Sequence, residues 1–275
     1  MAGVAEMALN LKLPEDHRQV IRGFIRSKVG DSGTNGVVLG LSGGLDSAVV
    51  AKLCSDAIGP ERTHVLLMPE NRKSDPHFKD AEELAKDLGL IYHIFEIERI
   101  MVEFKVSLDS IEPDDMTLAN LKARIRANLL YYYANSKGLL VAGTSNKSEL
   151  MIGYFTKYGD GASDIGPIGD LYKTQVRMLA KDMGIPEKII TKVPTAGLIQ
   201  GQTDENEIGL HYEVLDRILL GLELKLPLHS ISSTVGLELN EVERIYDMVT
   251  KNRHKRKFSK IPKMGIRTVG TDLRE

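Results

Sequence analysis

Apolar positions along this chain follow two alternating rhythms. Residues 14 to 29 carry Val20, Ile21, Phe24, Ile25 and Val29 at helical spacing, with Pro14 near the start, which predicts an amphipathic helix. The β-branched run at 37–41 predicts a strand, and a helix follows from about 46 to 58. The rhythm then repeats: HVLLM at 64–68 reads as a strand, Phe78, Ala81, Leu84, Ala85 and Leu88 as one face of a helix, and LIYHIFEI at 90–97 as a strand. A long helical stretch at about 116–136 leads into GLLVAG at 138–143, a fourth strand ending in glycine. Helical patterns return at 171–183, 186–192, 205–222 and 239–250, before a basic stretch, KNRHKRKFSKIPK, at 251–263.

Four strands separated by helices predict an α/β fold, a doubly wound and mainly parallel sheet with helices on both faces. Such sheets bind ligands beyond the carboxyl ends of their strands, where the strand order reverses. The turns after the first and fourth strands are therefore expected to share one crevice. The glycine-rich YGDGASDIGPIGD at 158–170 is too long for a simple turn and reads as a lid.

The first of these turns carries specific chemistry. Between strand and helix, Ser42-Gly43-Gly44-Leu45-Asp46-Ser47 removes two Cβ atoms and turns backbone N–H groups outward at a helix start, which suits an anion. It is not the GxxxxGK[ST] loop, because no lysine follows the glycines and Asp46 stands at the helix start. An acid beside an anion site implies a metal between them.

Composition narrows the class. With 275 residues, 42% hydrophobic and 27% charged, the chain is expected to form a single domain over 1–275, its core at about 14–200 and a helical segment with a basic tail at 201–275. A formal net charge of −2 favours neither nucleic acid nor anionic membrane as the main partner. No apolar run approaches the roughly 20 residues of a membrane helix, and the amino terminus lacks a signal-peptide pattern, so a soluble cytoplasmic protein is expected. The single cysteine, Cys54, excludes an intramolecular disulfide and lies among Val49, Val50 and Leu53 as a core residue.

The SGGLDS turn, in its place between strand and helix near the amino terminus, resembles the loop of the ATP pyrophosphatase superfamily, whose fold is Rossmann-like. The resemblance implies ATP attacked at its α-phosphate. A helix terminus offers an exposed charge only about 0.3–1 kcal/mol, whereas two unit charges about 4 Å apart at a dielectric near 20 interact by about 4 kcal/mol. Backbone alone is thus too weak to hold a second anionic substrate against ATP, and Mg²⁺ with fixed cations is expected, Asp46 being the first candidate ligand. GTSNKSE at 143–149 supplies another, with Thr144 and Ser145 at a predicted helix start and Glu149 one turn in.

Further motifs narrow the resemblance. GTSNKSELMIGYFTKYGDGASDIGPIGDLYKTQV, with NLKARIRA at 120–127 upstream and VPTAGL, QTDENEIG and HKRK downstream, looks like the signature of ammonia-dependent NAD synthetases over almost the whole chain. That family implies adenylation of the nicotinate carboxylate of nicotinic acid adenine dinucleotide by ATP and Mg²⁺, then displacement of AMP by ammonia. It further implies that Gly40, Leu41, Ser42, Gly43, Gly44, Leu45, Asp46 and Ser47 cradle ATP with Thr144, Lys173 and Thr195. Asp46 and Glu149 would hold the metal, with Lys173 nearest the transferred phosphate. Arg124, Lys157, Asp164, His254 and Lys255 match positions that bind the dinucleotide. Taken alone, Arg124 and Lys157 read as solvated charges, Asp164 as a turn former and the tail residues as a basic run.

Glutamine-dependent relatives add an amidotransferase region with a nucleophilic cysteine. Here Cys54 lies inside the synthetase core, so free ammonia, or ammonia from a separate glutaminase partner, is expected. The family also implies a homodimer. The competing readings are another ligase with the same loop, such as GMP, asparagine or argininosuccinate synthetase, an adenylating tRNA-thiolation enzyme, and a nucleotide sensor without catalysis. The first would not share FTKYGDG and the KTQ lysine, the second relies on reactive cysteines, and retention of both Asp46 and Glu149 argues against the third.

Overall fold

Val37, Val38 and Leu39 are each fully buried, so the first strand is covered on both faces, as its unbroken apolar run requires. The computed structural model describes residues 9–195, 203–257 and 259–269. The amino-terminal helix α1 (His17–Ser32) leads to β1 (Gly36–Gly40), α2 (Leu45–Ile58), β2 (Thr63–Leu67), α3 (Phe78–Asp87), β3 (Ile91–Ile94), α4 (Glu98–Ser107), α5 (Asp115–Lys137) and β4 (Leu139–Val141). Helices follow: α6 (Lys147–Ile152), α7 (Lys173–Asp182), α8 (Glu187–Ile190), α9 (Asp204–Ile208), α10 (Tyr212–Glu223), α11 (Leu228–Val235) and α12 (Leu239–Lys251), then a 3₁₀ turn over Asn252–Arg256.

All strand pairs are parallel, in the order β3-β2-β1-β4. Because side chains alternate between faces, Val37 and Leu39 pack with Val65 and Leu67 against Ile25 of α1, Val49 of α2, Leu84 of α3 and Leu179 of α7. On the other face Val38, Leu66 and Val141 pack against Met101 of α4 and Ile125 of α5. Each such aliphatic side chain contributes roughly 1.5–3 kcal/mol by leaving water. A third apolar cluster gathers Ile152, Tyr212, Leu215, Ile218, Ile231 and Ile245 from α6, α10, α11 and α12.

Several boundaries differ from expectation. The strand read over 90–97 is confined to Ile91–Ile94, because Ile97 turns into the opposite core and α4 begins at Glu98. The helix read over 205–222 is two helices, broken where Gly209 adopts φ 77°. The 158–170 segment, read as a lid, lies against the sheet: Ile168 is fully buried and Ile165 bridges in parallel to Ala142 just beyond β4. Among the described residues no helix is long and apolar enough to cross a membrane.

The chain runs outward through β1, β2 and β3, then crosses back through α5 to place β4 on the far side of β1. The strand order therefore reverses between β1 and β4, and the two loops leaving their carboxyl ends face each other.

Candidate active site

The loop after β1 is held by its own hydroxyls. The Ser42 N–H donates to Ser47 Oγ (3.2 Å), the Gly44 N–H to Ser42 Oγ (3.3 Å), and Ser47 Oγ–H to the Gly44 carbonyl (3.1 Å). Gly43 has φ 76°, and a Cβ there would lie 2.4 Å from the His77 carbonyl, so only glycine fits this turn. Gly44 is the N-cap of α2, which puts Asp46 in the helix's first turn. Lys192 reaches the loop from behind, donating to the Gly43 carbonyl (2.8 Å) while paired with Asp80 (2.6 Å).

The loop after β4 starts α6 at Asn146 rather than at Thr144 or Ser145. Asn146 Oδ1 accepts from the Glu149 N–H (3.0 Å) while Glu149 Oε2 accepts from the Asn146 N–H (3.2 Å), a reciprocal capping box. The same asparagine donates from Nδ2 to Asp46 Oδ1 (3.3 Å), tying the two loops together across the crevice.

Lys173, first residue of α7, reaches between the two acids. Its Nζ pairs with Asp46 Oδ2 and lies 3.5 Å from Glu149 Oε1, 5.3 Å from the centre of the Tyr212 ring. Its own N–H donates to Ser148 Oγ (2.9 Å), whose hydroxyl in turn donates to the buried Asp216 of α10. Burial would lower the Lys173 pKa, but the facing carboxylates of Asp46 and Glu149 outweigh it and hold the ammonium above its ordinary range. Burial, then the charge of Asp46, raises Glu149 to about 8 against the pull of Lys173.

A cavity of about 960 Å³ opens over this trio. Residues 40–47 line it except Gly43, whose part is the turn itself, together with Thr144, Glu149, Lys173 and Thr195. The nucleotide set expected from sequence thus converges on one space. The dinucleotide set does not line it: Asp164 Oδ2 accepts from the Val141 N–H (2.7 Å) and Oδ1 from the Tyr131 hydroxyl (3.2 Å). Lys157 donates to the carbonyls of His254 (2.9 Å) and Lys257 (3.1 Å), and exposed Arg124 to the Lys157 carbonyl (3.5 Å). Lys255 donates to the carbonyls of Gly153 (2.7 Å) and Phe155 (3.0 Å), and His254 is exposed.

Lys192 and Asp204 are among the cavity residues that escaped the sequence reading. Lys192 sits ahead of the VPTAGL stretch and gave no signal of its own. Asp204 lies within QTDENEIG but reads as a helix-start acid behind its N-cap Thr203. It is 4% exposed, with Oδ2 accepting from the Tyr212 hydroxyl (3.2 Å) and Oδ1 lacking a partner among the described residues. Cys54 is fully buried, and burial pushes its thiol up to about 12, which removes it as a nucleophile.

The NAD synthase family model matches residues 18–259. A relative named NH(3)-dependent NAD(+) synthetase, from Methanocaldococcus jannaschii, is 45% identical over 243 residues, covering 88% of this chain and 94% of its own length. The structure of NMN synthetase from Francisella tularensis superimposes with a TM-score of 0.79 at 34% identity, over 92% of this chain and 99% of that one. The NH3-dependent NAD synthetase of Campylobacter jejuni gives 0.78 at 36% identity, over 92% and 100%. With the loop, the paired acids and the lysine all inside the matched region, the chain belongs to the NAD synthase family.

Proposed function

We propose that this protein joins ammonia to the nicotinate carboxylate of nicotinic acid adenine dinucleotide, using ATP and releasing NAD, AMP and pyrophosphate. The observation that carries the reading is the convergence of Asp46, Glu149 and Lys173 from three separate motifs on one cavity, in a chain of this family.

The residues fit the chemistry. A carboxylate oxygen of the substrate attacks the α-phosphorus and pyrophosphate leaves; ammonia then attacks the acyl carbon and AMP leaves. No protein nucleophile is needed, in accord with a buried, protonated Cys54. The loop over Ser42–Ser47 and the start of α2 direct backbone N–H groups and a helix dipole at the phosphates. Asp46 and Glu149 already share one cation, the Lys173 ammonium, so the pair suits Mg²⁺, which takes one or two carboxylates and completes its shell with phosphate and water. Asp46 and Glu149 would hold it, and when bound it supplies charge neutralisation to the phosphates. Lys173, released from the acids, would face the charge that develops at the transferred phosphoryl group. Arg124, Lys157, Asp164, His254 and Lys255 form the dinucleotide side in this reading. The active species is a homodimer in the cytoplasm, and a separate glutaminase is a natural ammonia donor.

Incubation with ATP, Mg²⁺, ammonium chloride and the dinucleotide is expected to give NAD, AMP and pyrophosphate in equal amounts. Formation of ADP, or no NAD from folded protein, overturns the assignment. Because an NMN synthetase is among the similar structures, nicotinic acid mononucleotide serves as the competing acceptor, and preference for it would replace the dinucleotide as substrate. Parallel runs with glutamine test the nitrogen source, and light scattering tests the dimer.

A further inference from the structure

The two arginines of NLKARIRA lie two positions apart on α5, about 200° around the helix axis. Arg124, the one expected to bind substrate, points outward and is exposed. Arg126 lines the cavity with Ala123 and Leu130, which share its face at three- and four-residue spacing. Its Nε donates to the carbonyl of Met68 (3.0 Å), immediately beyond the carboxyl end of β2. That bond fixes the guanidinium plane.

The N–H groups on Nη1 and Nη2 have no hydrogen-bond partner among the described residues, and no carboxylate there lies within 4.0 Å. Glu70, Asp75 and Asp160 act on Arg126 electrostatically, yet each is engaged elsewhere. Glu70 pairs with Lys122 (2.5 Å), Asp75 Oδ1 accepts from the His77 N–H (2.8 Å), and Asp160 Oδ1 from the Thr156 N–H (2.9 Å). Two other arginines near the crevice and the tail are engaged internally: Arg177 pairs with Glu213, and Arg256 donates to three backbone carbonyls. Arg126 is part-buried and cannot shed its proton, so its terminal N–H groups are available to an anion that enters the cavity.

Position decides which ligand. Leu130, one turn further along α5, comes to 3.9 Å of a Cβ built on Gly40, where β1 ends and the glycine loop begins. Arg126 thus stands at the nucleotide end of the cavity, between the ends of β1 and β2. We propose that Arg126 grips the triphosphate of ATP through its two terminal nitrogens, opposite the backbone N–H groups of the Ser42–Ser47 loop. The planar fork matches two phosphate oxygens at once, a geometry lysine does not reproduce. The proposal rests on ATP being the ligand of this cavity.

The test uses full-length protein and direct binding of ATP, AMP, pyrophosphate and adenosine without the dinucleotide. Arg126→Gln and Arg126→Lys are both expected to weaken ATP and pyrophosphate at least tenfold, to leave adenosine within twofold, and to leave the KM of the dinucleotide within twofold. Arg124→Gln is expected to leave ATP binding unchanged. ATP affinity within twofold of wild type in either Arg126 variant overturns the proposal. So does a raised dinucleotide KM with unchanged ATP binding, which would assign the fork to the nicotinate carboxylate, or equal loss of ATP and adenosine, which would make Arg126 structural. If Arg126→Gln fails to fold, Arg126→Lys decides by the same comparison. Wild-type protein that binds no ATP would instead sink the functional reading.

Discussion

The cavity trio and the dinucleotide set use charge in opposite ways. Asp46, Glu149 and Lys173 neutralise one another, with groups that a cation and a phosphate would compete for. Lys157, Asp164 and Lys255 are engaged with the backbone. The tail makes this plain: Arg256 donates to the carbonyls of Leu150 (3.0 Å) and Met151, Asn252 to that of Ile152 (2.7 Å), and Lys255 to that of Gly153. Those are the carbonyls at the end of α6 that no helical N–H can reach, at the negative pole of the helix. The basic run thus caps the short helix whose first turn carries Glu149. One region is poised for exchange; the other holds it still.

The contrast breaks most visibly at Lys173. Lys173→Met removes the cation from two facing acids, and loss of such a buried partner costs roughly 3–5 kcal/mol of stability. With Glu149 neutralised by a proton the variant is expected to fold, but its turnover in NAD formation should fall about 10²–10³-fold, the scale of losing one charge-stabilising group. Turnover within a few fold of wild type would make Lys173 a structural counterion.

A smaller effect is expected from the tail. Lys255→Met leaves two part-buried carbonyls without a donor, a loss of about 1–3 kcal/mol, read as a lower melting temperature together with a reduced maximal rate. A rise in dinucleotide KM is expected alongside if Lys255 also serves the dinucleotide side, and an unchanged KM with lowered stability would leave it to the scaffold alone.

A further effect concerns pH. Glu149 is held at about 8 when folded and would titrate near its ordinary 4.5 when unfolded, so between those values the folded form binds more protons. Stability without ligands should therefore decline as pH rises from about 4.5 to 8 and level off above, and Glu149→Gln should flatten that slope. Mg²⁺ binding should release a proton below about pH 8 and tighten as pH rises, visible by calorimetry in buffers of different ionisation enthalpy. A pH-independent Mg²⁺ affinity would remove Glu149 from the ligand pair.

Local pattern was enough to read the sheet and the meeting of its two loops. The run at 37–41, the paired glycines and the strand-reversal rule together anticipate that residues near 46 and 149 face each other. The position of Lys173 between them depends on how α7 packs, through Ser148 and Asp216, and no local signal encodes that. Helix α11 went unread because LHSISSTV is rich in serine and β-branched residues and is carried by Ile231 in the third core. The tail's contacts are illegible for another reason: their partners are carbonyls, which every residue possesses. With Arg124 and Arg126, family position pointed to one residue while helix geometry turns the other inward.

The ion pair between Asp46 and Lys173 joins positions 127 residues apart, and Glu149 falls between them in the chain. A chain emerging from its amino terminus presents every strand of the sheet by Val141 and both acids by Glu149, while the ammonium that reconciles them is still unmade. Until α7 arrives, closing the crevice brings the two acids together with only a proton on Glu149 to relieve them. The order of synthesis thus keeps the trio from assembling until Lys173 has emerged, and no amino-terminal fragment that ends before it can possess that arrangement.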